Sequence, residues 1–167
     1  MNRADFQALA NLHLRHGEAL LNAQLFAGAY YISGYAVECG LKAAVAKLFR
    51  YTADFEFPGP EKRGAGRGGL DLYSHDLPFL VKVAGLSLDW ADELDADGVL
   101  KENWNIAKNW TPESRYQLTR SAQEAEDYSA VADTNHGVLQ CIGKFWWKLK
   151  SGPVSAFWSN WTSPRSR

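Results

Sequence analysis

Apolar residues recur at spacings of three and four along most of the chain, and no stretch of useful length alternates apolar with polar as a strand does. Asn2 can cap a first helix through Phe6, Leu9, Leu12 or His13, and His16 to Leu20, continued by Leu21 and Leu25. Gly28 marks the expected break into a second helix over about 27–49. There Tyr30, Gly34, Val37, Leu41, Val45 and Leu48 make one stripe, widened by Ile32, Ala36, Cys39 and Ala43. So broad an apolar face suits the central helix of a bundle. Gly34, Ala36, Gly40, Ala43 and Ala44 allow neighbours to approach it closely.

Residues 55–76 break the pattern. Their glycines, prolines and charges read as a long flexible loop. A phosphate-binding loop is not expected there, because the G-K-[ST] ending is absent and no apolar strand precedes it. Ser74 or Asp76 then caps a third helix with Pro78 in its first turn, apolar at Leu77, Leu80, Val81 and Ala84 and ended by Gly85. A fourth helix is expected over about 89–109, with Gly98 as a possible interruption. Residues 109–117 read as a loop with a Thr-Pro turn signal. A long final helix is expected over about 119–150, acidic at its start and basic at its end, as the helix dipole favours. Pro153 and Pro164 keep the Trp-rich tail, 151–167, from extending it. The expected class is all-α, an up-and-down bundle of four or five helices in one domain over 1–150, with a loop at 55–73.

Composition changes this picture little. Hydrophobic residues are 46% and charged residues 22% of 167, the balance of a folded domain. Seven Trp, seven Tyr and eight Phe supply large core and interface side chains. The net charge of −1 argues against a global field for nucleic acid, although local basic patches remain open. Cys39 and Cys141 lie in apolar helical patterns and read as reduced packing residues. With His13, His16, His75 and His136 they show no zinc-ligand spacing, so no metal and no cofactor are expected. Charges interrupt the N-terminus before any signal-like apolar run, and 25–41 is short for a span and carries Glu38. A soluble, cytoplasmic chain that does not engage a membrane is expected.

The candidate chemistry starts in the second helix. Glu38 and Lys42 stand at i,i+4 in the favourable orientation for an ion pair, and Tyr31 and Tyr35 share their row. One reading is a buried tether between helices. The other is a ligand-contacting row, with Lys42 on phosphate and the tyrosines stacked on bases. His75 and Asp76 either cap the third helix or form a pair in which Asp76 orients the imidazole. Arg115 and Tyr116 open the last helical stretch, where Arg115 could pair with Glu38 or touch phosphate. Lys62, Arg63 and Arg67 form either a solvated loop or a basic loop that closes over RNA. Lys144, Lys148 and Lys150 beside Trp146 and Trp147 make a basic–aromatic patch or an amphipathic helix end.

Three stretches together resemble the HEPN domains, helical domains often linked to minimal nucleotidyltransferases. AYYISGYAVECGLKAAVAK (29–47) is similar to the family's A-Y-x-x-x-Y-x-V-E-x-x-L-K pattern. SHDLPFLVKVAG (74–85) resembles its H-D-L-x-x-L helix start. RYQ (115–117) precedes a long helical stretch ending in CIGKFWWKLK. The resemblance implies a helical bundle, a homodimer, and a link to RNA or nucleotides. Many members are metal-independent ribonucleases of toxin–antitoxin or defence systems, using an R-x4–6-H motif at the dimer interface. That motif is missing here. Arg67 has seven residues between it and His75, and the 15 residues before His136 contain no arginine. The reaction needs a base at the 2′-hydroxyl and a fixed cation for phosphate charge, and no local motif supplies both. The main expectation is therefore a module that binds RNA, a nucleotide or a partner such as a nucleotidyltransferase. The alternatives are a divergent ribonuclease using His75 or His136, and a purely structural dimerisation module.

Overall fold

The computed structural model describes residues 1–48, 73–129, 131 and 135–147. They are mostly helical, with turns and loops between the helices and no strand among them. Seven α-helices follow one another: α1 (Arg3–Asn22), α2 (Phe26–Leu48), α3 (Leu77–Val83), α4 (Ser87–Ala96), α5 (Gly98–Ala107), α6 (Ala122–Ser129) and α7 (Val138–Trp147). A 3₁₀ helix, Pro112–Tyr116, lies between α5 and α6. The loop expected at 55–73, with Lys62, Arg63 and Arg67, falls outside the described residues apart from Tyr73, and so do Lys148, Lys150 and the tail at 151–167.

Asn2 caps α1 as expected. Its Oδ1 accepts from Asp5 N at 3.0 Å while Asp5 Oδ2 accepts from Asn2 N at 2.8 Å, a reciprocal capping box. The first break lies earlier than Gly28. Gln24 takes a left-handed φ of 60°, and Gln24 N and Leu25 N bond back to Leu21 O and Leu20 O. That is a Schellman ending built without glycine. Gly28 instead lies within α2, where Leu20 packs over it.

α1 folds back antiparallel on α2: Leu20 meets Gly28, Gly17 meets Ser33, and His13 meets Tyr35. α2 is the centre of the molecule, with α1, α3, α6, α7 and the 3₁₀ helix all packed on it. From Ala36 to Ala46 every residue is buried. A helix enclosed on all sides explains why its apolar pattern has almost no polar face. Small residues make the enclosure possible. A Cβ on Gly34 would lie 2.1 Å from the Trp110 ring, and one on Gly40 2.7 Å from Leu139 Cδ1. Trp146 reaches the same place and donates from Nε1 to Gly40 O at 2.9 Å.

Two expected helices are each divided in two, so the chain exceeds the four or five helices expected. The fourth breaks at Asp97 rather than Gly98. Asp97 is extended and its Oδ1 accepts from Val99 N and Leu100 N, so it caps α5. A capping carboxylate competes with helix continuation wherever a following turn can use it. The last helix divides into α6 and α7, with a turn at Asn135–Gly137. Asn103 holds that turn by donating to His136 O at 2.9 Å. Trp146 is buried and hydrogen-bonded to α2, so it belongs to the core and not to a surface aromatic patch. Lys144 crosses from α7 to Glu93 of α4 at 2.5 Å. Cys39 and Cys141 are both free and buried. Burial pushes the Cys39 thiol up to about 12, so it stays protonated as a packing residue. No helix among the described residues is long and apolar enough to cross a membrane.

Candidate functional site

The row Tyr31, Tyr35, Glu38, Lys42 does lie together on α2, and α3 brings His75 to it. Lys42 Nζ donates to Glu38 Oε1 at 2.6 Å. His75 Nδ1 lies 2.8 Å from Glu38 Oε2. Glu38 is 3% and Lys42 7% exposed, whereas the His75 side chain is 48% exposed. A charge pair inside the core therefore ends in an imidazole at the surface.

Local chemistry explains the placement. Asp76 caps α3, its Oδ1 accepting from Phe79 N at 2.9 Å. Leu77, Leu80 and Val81 are buried as α3 packs on α2. His75, one residue before the cap, is thereby held over Glu38. The expected pairing in which Asp76 orients His75 is replaced. Asp76 is occupied with the helix end, and Glu38 of α2 orients the ring. A carboxylate accepts, so Nδ1 carries a hydrogen toward Glu38 and Nε2 is the ring nitrogen turned away from it.

The 3₁₀ helix also packs on α2. Pro112 and Ser114 are buried against α2, and Arg115 and Tyr116 are exposed. Arg115 donates to Tyr116 Oη at 2.9 Å and lies 4.7 Å over that ring's centroid. It does not reach Glu38, whose two oxygens are taken by Lys42 and His75. Hydrogen bonds to the hydroxyls of Tyr116 and then Tyr31 hold the Arg115 guanidinium even more firmly charged. Glu113 is held below the usual carboxylate range, first by Thr111 and its own backbone, then by Arg115 and His75.

Tyr35 is the hub beneath these groups. Its ring stands edge-on to Tyr31 at 5.1 Å, to Trp110 at 4.9 Å and to His75 at 6.3 Å. Burial, then the Tyr31 hydroxyl, pushes the Tyr35 phenol above the ordinary tyrosine range, so it stays protonated. His13 of α1 packs 6.1 Å from Tyr35, with His16 6.3 Å beyond it. Burial and then His16 lower the His13 pKa, against a smaller opposing pull from Glu38.

Sequence reasoning missed His13, Trp110 and Glu113. A signal for His13 existed: an antiparallel α1–α2 hairpin with its turn near residue 24 sets His13 opposite Tyr35. Trp110 has no such local signal, although Gly34 marks the gap its ring fills. His136 belongs to a different cluster. Its Nδ1 lies 2.7 Å from Asp97 Oδ2, beside the α5 cap.

The site thus offers a half-exposed imidazole oriented by Glu38, a cation at Arg115, and an aromatic ring at Tyr116. Among the described residues, no group of three or more His, Cys, Asp or Glu side chains is arranged to hold a metal. No protein-family model, no curated protein and no solved structure matches this chain, so the reading of the site rests on its own residues.

Proposed function

We propose that the chain is a HEPN-type helical domain without the R-x4–6-H motif, and that it binds a nucleotide or an RNA segment at the His75–Arg115 surface. The observation that carries this is the buried Glu38–Lys42 pair ending in an exposed imidazole. Burying an ion pair seldom adds stability over an apolar pair of similar size. Here the pair holds His75 in one orientation against Tyr35, whose neighbour Tyr31 bonds Arg115, and a cation with aromatic rings is how phosphate and base are contacted together. The net charge of −1 favours a short ligand over a long strand, since no extended basic field is present. Homodimerisation, a cytoplasmic setting and a nucleotidyltransferase partner accompany this reading through the family resemblance alone.

Calorimetric titration with AMP, ADP, ATP and short single-stranded RNA tests it. Arg115→Ala should weaken binding about tenfold, the loss of one charge-assisted contact. Absence of binding to every nucleotide and RNA, together with absence of a nucleotidyltransferase partner, would refute the proposal.

A second reading is favoured by one distance. His75 Nδ1 at 2.8 Å from Glu38 is the geometry of an oriented general base, and Arg115 could stabilise phosphate charge. A divergent ribonuclease would use them in those roles. Cleavage of RNA that is lost in His75→Ala and kept in His136→Ala would establish it over simple binding.

A further inference from the structure

The donor and acceptor pattern along Lys42, Glu38 and His75 allows a sharper statement about the ligand. An ammonium group only donates, so the Glu38 oxygen facing Lys42 must accept. The second oxygen faces His75 Nδ1 and, in a carboxylate, also accepts. In the neutral ring the hydrogen is then committed to Nδ1. Nε2 makes no hydrogen bond among the described residues, and 48% of the side chain is exposed. Arg115 is a permanent cation held by the hydroxyls of Tyr116 and Tyr31.

We infer that Lys42 is a positioning residue that fixes the head group at position 38, and that Glu38, as a carboxylate, makes the neutral His75 ring present an accepting Nε2, so that the site selects ligands bearing an O–H or N–H donor as well as an anionic group. This deepens the binding reading above and rests on it for the ligand. The assignment of the imidazole hydrogen stands independently. For a nucleotide, the donor at His75 is a sugar hydroxyl and the anion at Arg115 is phosphate. A site whose polar atom is left unpaired by an analogue rejects that analogue.

Glu38→Gln gives the decisive contrast. Lys42 must still face an acceptor, so it takes the amide oxygen and turns the NH₂ toward His75. The amide then donates to Nδ1, and the ring hydrogen moves to Nε2. In the double variant Glu38→Gln/Lys42→Met the amide is free to turn its oxygen to Nδ1, and the original tautomer returns. A bystander Lys42 would not produce that reversal.

The tautomer is read from imidazole ¹⁵N shifts at pH 8, with the His75 signal assigned by its loss in His75→Gln. The expected results are an Nδ1–H ring in the native chain, Nε2–H in Glu38→Gln, and Nδ1–H again in the double variant. An Nε2–H ring or an imidazolium in the native protein overturns the inference without recourse to any variant. An unchanged tautomer in Glu38→Gln overturns the role of Lys42. Calorimetry with AMP and its 2′,3′-dideoxy counterpart reads the ligand half. The native chain should prefer AMP by about tenfold, one hydrogen bond's worth of affinity, and Glu38→Gln should lose that preference. Equal affinity in the native chain refutes the donor requirement. Failure of both to bind refutes the ligand half along with the binding function, while the nitrogen shifts still decide the tautomer.

Discussion

His75 and His136 make the same bond in two different settings. Each turns Nδ1 to a carboxylate, at 2.8 and 2.7 Å, and each side chain is nearly half exposed, 48% and 43%. The carboxylates differ. Asp97 lies at the surface end of α5, 29% exposed, with its other oxygen satisfied by two backbone N–H groups. Glu38 lies in the middle of an enclosed helix, with a buried ammonium as its second partner. Asp97 is open to water as an alternative partner. Water has no such access to Glu38. Burial of the carboxylate, not the His–carboxylate contact itself, separates an oriented site from a surface clasp.

The largest effect should come from breaking the buried side. Glu38→Ala or Lys42→Ala leaves one charge buried without its partner and should cost about 3–5 kcal/mol in urea unfolding. Glu38→Leu/Lys42→Met, which removes both charges at similar volume, should recover most of that loss while leaving His75 unanchored. If either single variant is as mild as Asp97→Ala, the two dyads are alike and the contrast fails.

The next test acts on the packing beneath the site. Gly34→Ala places a methyl where the Trp110 ring lies, 2.1 Å from it. The ring must shift and carry Tyr35 with it, at about 1–3 kcal/mol for overpacking. Unchanged tryptophan fluorescence and stability would show that the close approach is not needed.

The third test is acid titration, in which the two regions should respond at different pH. His13, beside the buried dyad, has a lowered folded pKa, so the unfolded chain binds its proton first. Its contribution is full above the ordinary imidazole pKa of about 6.5 and declines as pH falls below it. Asp97 is depressed, chiefly by the His136 hydrogen bond and then by the α5 backbone. Its contribution is full above the ordinary carboxylate pKa of about 4 and is lost as pH falls through its lower folded value. His13→Gln should therefore flatten stability between pH 7 and 5, the imidazole's own range, and leave the lower limb intact. His136→Ala should act only on the lower limb, and its effect at neutral pH should be the smallest of the series.

Much of the fold was legible. Helical periodicity, the Asn2 and Asp76 caps and the Gly85 stop are local features, settled by chemistry within a few residues. The breaks at Gln24, Asp97 and Asn135–Gly137 were misplaced or missed. Gln24 is an unusual left-handed residue. Asp97 and the α6–α7 turn are stabilised by partners distant in sequence, namely His136 and Asn103. The same division holds for the site. The i,i+4 ion pair of Glu38 and Lys42 was readable because both ends lie on one helix. Its completion by His75, and the stacking of Arg115 on Tyr116 instead of pairing with Glu38, were not.

The sequence by itself determined that this chain is helical, that α2 is its apolar centre, and that an acid and a base stand one turn apart inside it. Periodicity, capping and side-chain size act over short range and are written in neighbouring residues. Tertiary structure decided which groups meet that acid, which histidine reaches the surface from a buried anchor, and which one remains at a solvated helix end. Those outcomes depend on contacts between residues 37 and 39 positions apart in the chain. Only the packing of α3 on α2, and of the α6–α7 turn beside α5, brings them within hydrogen-bonding distance.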